Sequence, residues 1–76
     1  MPSAFVLINT ESGAEDYVFN QIKRISAVKE SYVSYGVYDL IVRVNADSLD
    51  ELKEIVSYEI RSLDKVRATL TLMMAE

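Results

Sequence analysis

The sequence predicts a single α+β domain with the order strand, helix, strand, strand, helix, strand. Three observations support this prediction: a length of 76 residues, four short runs rich in β-branched residues, and two longer stretches with apolar residues at helical spacing. Hydrophobic residues make up 50% of the chain, which is enough to form a core. A chain of this length corresponds to one domain.

The first half of the chain reads as a strand followed by a helix. Residues 4–10 are mostly apolar and rich in β-branched side chains, as in a central strand. Ser12 and Glu15 have the spacing of a capping box, in which each side chain bonds a free amide of the first helical turn. The helix that follows has one apolar stripe, formed by Ala14, Tyr17, Val18, Ile22 and Ile25.

The second half repeats this pattern after a hairpin. Residues 28–35 and 39–44 read as two strands joined through Gly36, and residues 66–74 read as the last strand. Ser48 and Glu51 have the spacing of a second capping box. The second helix has an apolar stripe formed by Leu49, Leu52, Ile55, Val56, Ile60 and Leu63.

The two halves align with each other weakly in identity but consistently in role. Val6 aligns with Val42 between the strands that precede the two helices. In the same alignment, Ser12 falls on Ser48 at the start of each helix. Two βαβ-like units joined by a hairpin form the ferredoxin-like fold, a four-stranded antiparallel sheet with both helices on one face.

Two helices cover only one side of such a sheet, so the other side requires a partner. Alternation along the strands predicts that the following residues face the helices: Val6, Ile8, Leu40, Val42, Val44, Leu70 and Leu72. The opposite face then contains Phe5, Leu7, Ile41, Arg43, Thr69, Thr71 and Met73.

An apolar patch on adjacent strands of a small chain favours an interface over scattered surface residues. We therefore predict a homodimer formed sheet to sheet. The predicted interface residues are Phe5, Leu7, Ile41, Arg43 and Met73.

The composition excludes several classes of function. The chain has no cysteine and no histidine, which excludes disulfides, thiolate metal sites and the usual general base. It has no glycine-rich phosphate loop and no nucleophile elbow, so we predict neither enzymatic activity nor a cofactor. The absence of cysteine fits a cytoplasmic location.

Charge and hydropathy argue against nucleic acids and membranes as partners. The formal net charge is −4, from 8 basic and 12 acidic residues, and the basic residues are dispersed among the acids. Nucleic-acid binding requires a concentrated basic face, and a membrane-surface helix requires a basic amphipathic one. No apolar run is long enough to span a bilayer.

Four acidic residues near the start of the second helix resemble the oxygen ligands of a hard metal: Asp47, Asp50, Glu51 and Glu54. Carboxylates at this end of a helix are explained by capping and by the helix dipole. The segment also lacks the alternating ligands and central glycine of a calcium loop. We therefore predict no metal site.

The turn at residues 35–39 gathers polar groups more tightly than any other segment. It reads Tyr-Gly-Val-Tyr-Asp and contains one of the two glycines of the chain. A hairpin turn explains these residues, because a turn aspartate commonly bonds local amides. In the alternative interpretation, Asp39 receives an ammonium group while amides near Gly36 receive a carboxylate. Spacing alone favours the hairpin and leaves the second interpretation open.

Two segments together resemble a known family. Residues 35–42 (YGVYDLIV) and 66–72 (VRATLTL) are similar to the effector-binding domain, or RAM domain, of Lrp/AsnC (feast/famine) transcription regulators. The resemblance covers residues 4–74, and we expect residues 1–76 to form one such domain. The regulators carry an N-terminal helix-turn-helix, whereas this chain starts almost at its first strand. We therefore expect a stand-alone form that does not read DNA by itself.

The resemblance implies a function as well as a fold. Domains of this family dimerise through their sheets, dimers assemble further into octamer-like rings, and small effectors, typically amino acids, bind between dimers. A full-length Lrp/AsnC regulator is a second candidate partner, through which an amino acid would modulate transcription or metabolism. By this analogy the ligand site consists of Gly36, Val37, Tyr38, Asp39, Thr69, Leu70 and Thr71.

Two other interpretations share the predicted fold. An ACT-like regulatory module also binds amino acids, but it is normally attached to an enzyme. A dimeric α+β-barrel enzyme, such as a small monooxygenase or isomerase, also pairs open sheets. The enzyme requires a sizeable cavity between helices and sheet in each protomer, whereas the regulator places its ligand between dimers.

Overall fold

The computed structural model describes residues 2–74 and has the predicted order of elements. The elements are β1 (Ser3–Thr10), α1 (Glu15–Ile22), β2 (Val28–Val33), β3 (Leu40–Asn45), α2 (Leu49–Glu54) and β4 (Val66–Met74). After α2 the helix continues as a π-helical segment, Ile55–Ile60, in which the Arg61 amide donates to the Val56 carbonyl at 3.0 Å.

The four strands form one antiparallel sheet in the order β2-β3-β1-β4. β1 is a central strand that pairs along its length with β3 on one side and β4 on the other. Val6, for example, lies between Val42 and Thr71. The α+β ferredoxin-like fold predicted from the sequence is therefore confirmed.

Both helices pack on the same face of the sheet and enclose one apolar core. Each helix contributes side chains to the same cluster as the strands, which places the helices in one layer. The core consists of Ala4, Val6, Ile8, Val18, Ile22, Leu40, Val42, Val44, Ala46, Leu52, Ile55, Val56 and Ile60. Full burial of a Leu, Ile or Val side chain contributes about 1.5–3 kcal/mol, so this layer supplies most of the hydrophobic stabilisation.

The second capping box is confirmed in slightly altered form. Ser48 is the N-cap of α2, and its Oγ accepts a hydrogen bond from the Glu51 amide at 3.1 Å. The Glu51 carboxylate reaches back to the amide of Asp47, at 3.0 Å, instead of the Ser48 amide. Both bonds satisfy amides that have no partner within the helix, so of the four acidic residues here the Glu51 side chain acts in capping.

The first capping box was predicted wrongly. The N-cap of α1 is Ala14, without a side-chain hydrogen bond, and the helix begins at Glu15. Gly13 has a φ of 82°, in the left-handed region that favours glycine. This conformation turns the chain between Ser12 and the helix, so Ser12 lies too early to cap it.

The prediction that Leu70 and Leu72 of β4 face the helices was wrong. Residues that pair across antiparallel strands lie on the same face of the sheet. Leu70 pairs with Leu7, and Leu72 pairs with Phe5, on the face away from the helices. Their exposed fractions are 44% and 47%, which agrees with this placement.

The threonines and Met73 of β4 were also assigned to the wrong face. Thr69 and Thr71 pair with the buried residues Ile8 and Val6, and Met73 pairs with Ala4, so all three lie on the helix side. Alternation shows which residues of a strand share a face, but not which face that is. In β4 the apolar Leu side chains would be expected to face the core and the Thr side chains to face away, but the pairing with β1 places them the other way round.

The face of the sheet opposite the helices, called the open face below, has no helix of residues 2–74 packed on it. Its side chains follow from strand pairing: Phe5, Leu7, Tyr32, Ile41, Arg43, Leu70 and Leu72. Arg43 lies 3.7 Å from Glu30 of the neighbouring strand in an ion pair at one side of this surface.

Within residues 2–74, no helix has the length and apolar character needed to cross a bilayer.

Candidate functional site

The turn between β2 and β3 projects from the sheet but is attached to β1. Tyr35 and Val37 are almost fully exposed, at 97% and 83%. The Ser34 amide donates to the Asp39 carbonyl at 2.7 Å and closes the turn. The Asp39 amide donates to the Ile8 carbonyl at 2.9 Å, so the last residue of the turn is held against the central strand.

The carboxylate of Asp39 is held by Thr10 at the end of β1. Its Oδ2 accepts one hydrogen bond from the Thr10 amide at 2.9 Å and one from the Thr10 hydroxyl at 3.3 Å. The pairing of β1 with β4 shifts register between Asn9 and Thr10, and such an irregularity leaves backbone groups for other partners. The partner of this carboxylate is therefore Thr10, 29 positions earlier on β1, and not a local amide of the turn as the hairpin interpretation predicts.

The second carboxylate oxygen of Asp39 leaves the ligand interpretation open. Within residues 2–74, Oδ1 accepts no hydrogen bond, while Oδ2 accepts both bonds from Thr10. An ionised carboxylate has acceptor capacity for several donors. Thr10 is only 4% exposed and holds Oδ2 of the carboxylate, which leaves Oδ1 without a hydrogen-bond partner among the described residues.

A cleft of about 360 Å³ lies between the turn and the start of β4. It is lined by Asn9, Thr10, Val37, Asp39, Arg67 and Ala68. This volume is at the lower end of the range for small-molecule sites. The end of β1 forms the part of the cleft between the turn and β4, because β1 separates β3 from β4 in the sheet.

This cleft contains groups of both charges. Asp39 supplies a carboxylate and Arg67 a guanidinium, and Arg67 is exposed. Among the described residues, the single ion pair is that of Arg43 with Glu30, so Asp39 and Arg67 do not neutralise each other. The sequence interpretation missed Thr10 and Arg67. For Arg67 a signal was present, because it lies in the same β4 segment as the Thr-x-Thr motif.

A second cleft, of about 430 Å³, lies on the other side of the turn. It is lined by Glu15, Asp16, Val33, Ser34, Tyr35, Gly36 and Asp39. The only charged side chains in this lining are carboxylates. The turn therefore separates a cleft with both charges from one that is only negative.

Gly36 is not required by the fold of the protomer. Its φ is not in the left-handed region, where only Gly13 and Lys65 lie among the described residues. A Cβ built on Gly36 would meet no atom within 4 Å. Space at this position becomes limiting only when a ligand or a neighbouring chain approaches the turn.

The structure brings together only part of the predicted ligand site. Residues 36–39 lie together in the turn, with Tyr38 and Asp39 half-buried. Thr69 and Thr71 lie across β1 on the helix side, and Leu70 lies on the open face. None of these three residues lines the cleft beside Asp39. Their contact with a ligand stays a prediction, as does that of the turn.

The comparisons with known proteins identify relatives over the whole chain. A sequence profile of the Lrp/AsnC ligand binding domain matches residues 3–76. The crystal structure of FFRP-DM1 is 37% identical, covers 99% of this chain and 100% of its own, and superposes with a TM-score of 0.95. The hypothetical protein PHS023 from Pyrococcus horikoshii is also 37% identical, covering 100% of this chain and 92% of its own, with a TM-score of 0.94.

A longer protein shares the fold at lower identity. The transcriptional regulator NMB0573 from Neisseria meningitidis, solved as a complex with L-Met, is 12% identical with a TM-score of 0.86. The match covers 99% of this chain and 50% of the regulator, so this chain spans about half its length. At 12% identity, this similarity shows a shared fold only. None of the curated protein sequences is significantly similar to this chain.

Proposed function

Because the chain belongs to the Lrp/AsnC ligand-binding domain family, we propose that it is an amino-acid-binding regulatory module that acts as a homo-oligomer. The observation that carries this proposal is the carboxylate of Asp39, which Thr10 holds through Oδ2 and which lines a cleft of small-molecule size. The complex of NMB0573 with L-Met supports an amino acid as the ligand class, through the shared fold.

Asp39 is the proposed acceptor for the α-ammonium group of the ligand. A hydrogen bond between two ionised groups is about twice as strong as a neutral one. The carboxylate does not have to reorganise on binding, since Thr10 already fixes it. The proposed ligand-binding turn consists of Gly36, Val37, Tyr38 and Asp39.

The open face supports self-association as the second part of the proposal. Leu70, Leu72 and Tyr32 are each close to half exposed on a surface that also contains Phe5 and Ile41. A contiguous apolar surface on a soluble domain is typical of an interface. We propose that a second copy covers it sheet to sheet, with Leu70 and Leu72 joining the predicted interface and Met73 lying outside it.

Further assembly of dimers would complete the ligand site. The cleft beside Asp39 is open, and the exposed tip of the turn, Tyr35 and Val37, has no apolar partner within residues 2–74 that covers it. A neighbouring dimer in an octamer-like ring would cover both. Ligand and assembly would then be coupled, because a ligand stabilises the assembly that binds it best.

The packed core favours a regulatory role over the enzymatic alternative. An α+β-barrel enzyme requires a cavity between helices and sheet, and in this chain that space is filled by apolar side chains. Among residues 2–74, the buried polar residues are Ser3 and Thr10, neither of them a strong acid or base. We propose that the module acts in the cytoplasm through a partner such as a full-length Lrp/AsnC regulator, and that it does not contact DNA itself.

Calorimetric titration with each of the twenty amino acids tests the proposal. We expect at least one amino acid to bind. The substitution Asp39→Asn should lower the affinity for that amino acid about 10- to 100-fold, since a hydrogen bond to a charged group contributes about 1.5–3 kcal/mol. Asn retains an oxygen that can accept from Thr10, so this variant should keep its fold.

Asp50→Asn, in the exposed first turn of α2, is the matched control and should bind as the wild type does. Circular dichroism of both variants confirms that they are folded. The proposal would be wrong if no amino acid bound at millimolar concentration, or if Asp39→Asn bound as tightly as the control.

A further inference from the structure

Building on the proposed function, we infer that Arg67 binds the carboxylate of the ligand, so that a single protomer holds both charges of an amino acid. Arg67 and Asp39 line the same cleft, at the start of β4 and at the end of the turn. The family resemblance placed the ligand carboxylate on amides near Gly36 and on residues 69–71. The geometry points instead to a side chain that precedes those residues.

Arg67 is free to bind an anion. Within the described part of the chain it forms no ion pair, and its side chain is exposed. It is the only positively charged residue that lines this cleft. The guanidinium group offers two parallel N–H donors that match the two oxygens of a carboxylate, which makes arginine well suited to this role.

The alternative donors in β4 are directed elsewhere. Thr69 and Thr71 lie on the helix side of the sheet, opposite Ile8 and Val6, so their hydroxyl groups do not face the cleft beside Asp39. Leu70 lies on the open face and has no polar side-chain atom. Among the β4 residues of the predicted site, none can supply a side-chain donor to this cleft.

The separation of the two charges also fits a zwitterion. An aspartate and an arginine in direct contact would neutralise each other and would leave little affinity for a ligand. Here Thr10 holds Oδ2 of Asp39, and no ion pair joins the carboxylate to Arg67. In the inferred arrangement a small amino acid lies between them, with its ammonium group on Asp39 and its carboxylate on Arg67. Thr10 is a positioning residue in this arrangement.

A ligand pair that differs only in the carboxylate tests the role of Arg67. The probes are the amino acid that binds most tightly in the calorimetric series and its carboxamide, which keeps the ammonium and the side chain. For Arg67→Gln we expect the affinity for the acid to fall about 10- to 100-fold, as for a lost charge-assisted hydrogen bond. The affinity for the carboxamide should change less than about 2-fold, because the carboxamide is neutral and forms no ion pair with Arg67.

Two further variants make the result specific. Lys29→Gln is the matched control, because Lys29 is the second residue of β2 as Arg67 is of β4, and its Nζ bonds the Ser26 carbonyl at 3.3 Å, away from the cleft. It should leave both affinities unchanged. Arg67→Lys should restore part of the affinity for the acid, because it returns the charge without the bidentate geometry.

The assignment would be overturned if Arg67→Gln lowered the affinities for the acid and for the carboxamide equally, because this would indicate a structural role for Arg67. Equal binding of acid and carboxamide by the wild type would also overturn it, while leaving the proposed function intact. Failure of the wild type to bind any amino acid would overturn the proposed function itself, and this assignment with it.

Discussion

The two faces of the sheet are built from the same four strands, yet one face is complete within the protomer and the other is not. On the helix side, Val6, Ile8 and Val42 are fully buried. On the open face, Leu70 and Leu72 remain close to half exposed. Alternate residues of a strand therefore serve folding of the protomer on one face and, in the proposed dimer, association with another copy on the other face.

The turn connects these two purposes to the candidate ligand site. Asp39 is bonded to Ile8 and Thr10 at the end of the central strand β1, whose side chains alternate between the two faces. The proposed ligand on Asp39 would therefore lie at the end of a strand that contributes side chains to both faces. Three experiments test how different the faces are.

The largest expected effect comes from one substitution made on each face. Leu40→Ala removes a fully buried side chain on the helix side, and we expect it to lower the free energy of unfolding by about 2–5 kcal/mol. Leu70→Ala on the open face should cost less than about 1 kcal/mol at protein concentrations where the chain is monomeric. Urea denaturation measures both, and equal costs would contradict the difference between the faces.

A charge on the open face should have a smaller effect, confined to association. Leu72→Arg should weaken the dimer by about 2–4 kcal/mol, since it places an unpaired charge in the proposed interface. Leu49→Arg is the matched control, because Leu49 is equally exposed, at 49%, but lies at the start of α2. Analytical ultracentrifugation at micromolar concentration distinguishes them. A monomeric wild type, or equal weakening by both variants, would exclude the open face as the interface.

The smallest expected effect tests the register of β4. Thr71→Val replaces a hydroxyl with a methyl group on the helix side, where Thr71 lies opposite the buried Val6. We expect the free energy of unfolding to rise by up to about 0.5 kcal/mol, with no change in the sedimentation coefficient. A change in association instead of stability would indicate that Thr71 lies on the open face.

Much of the fold could be predicted from local sequence signals. The bounds of β4 were predicted without error, and Ser48 caps α2 as its spacing indicated. Both signals depend on residues close together in the chain. The prediction of a cap at Ser12 was wrong because such local signals are sensitive to a single residue. The left-handed conformation of Gly13 changes the path of the chain between Ser12 and the helix.

The candidate site could be predicted only in part. The turn from Gly36 to Asp39 was visible because its residues are contiguous. Thr10 was not visible as a partner of Asp39, since 29 residues separate them and only the pairing of β1 with β3 brings them together. Arg67 reaches the same cleft from the far end of the chain, through the pairing of β1 with β4.

The sequence by itself determined the order of the elements, the position of the turn and most of the apolar stripes of both helices, of which only Tyr17 and Leu49 are largely exposed. These features depend on spacing over a few residues. Only the tertiary structure decided which face of β4 meets the helices and which residues surround Asp39. Both depend on the register between strands that are distant in the chain. Register is set by the burial of a whole face at once, and in β4 the alternation of Leu with Thr is a local signal that predicts the wrong face.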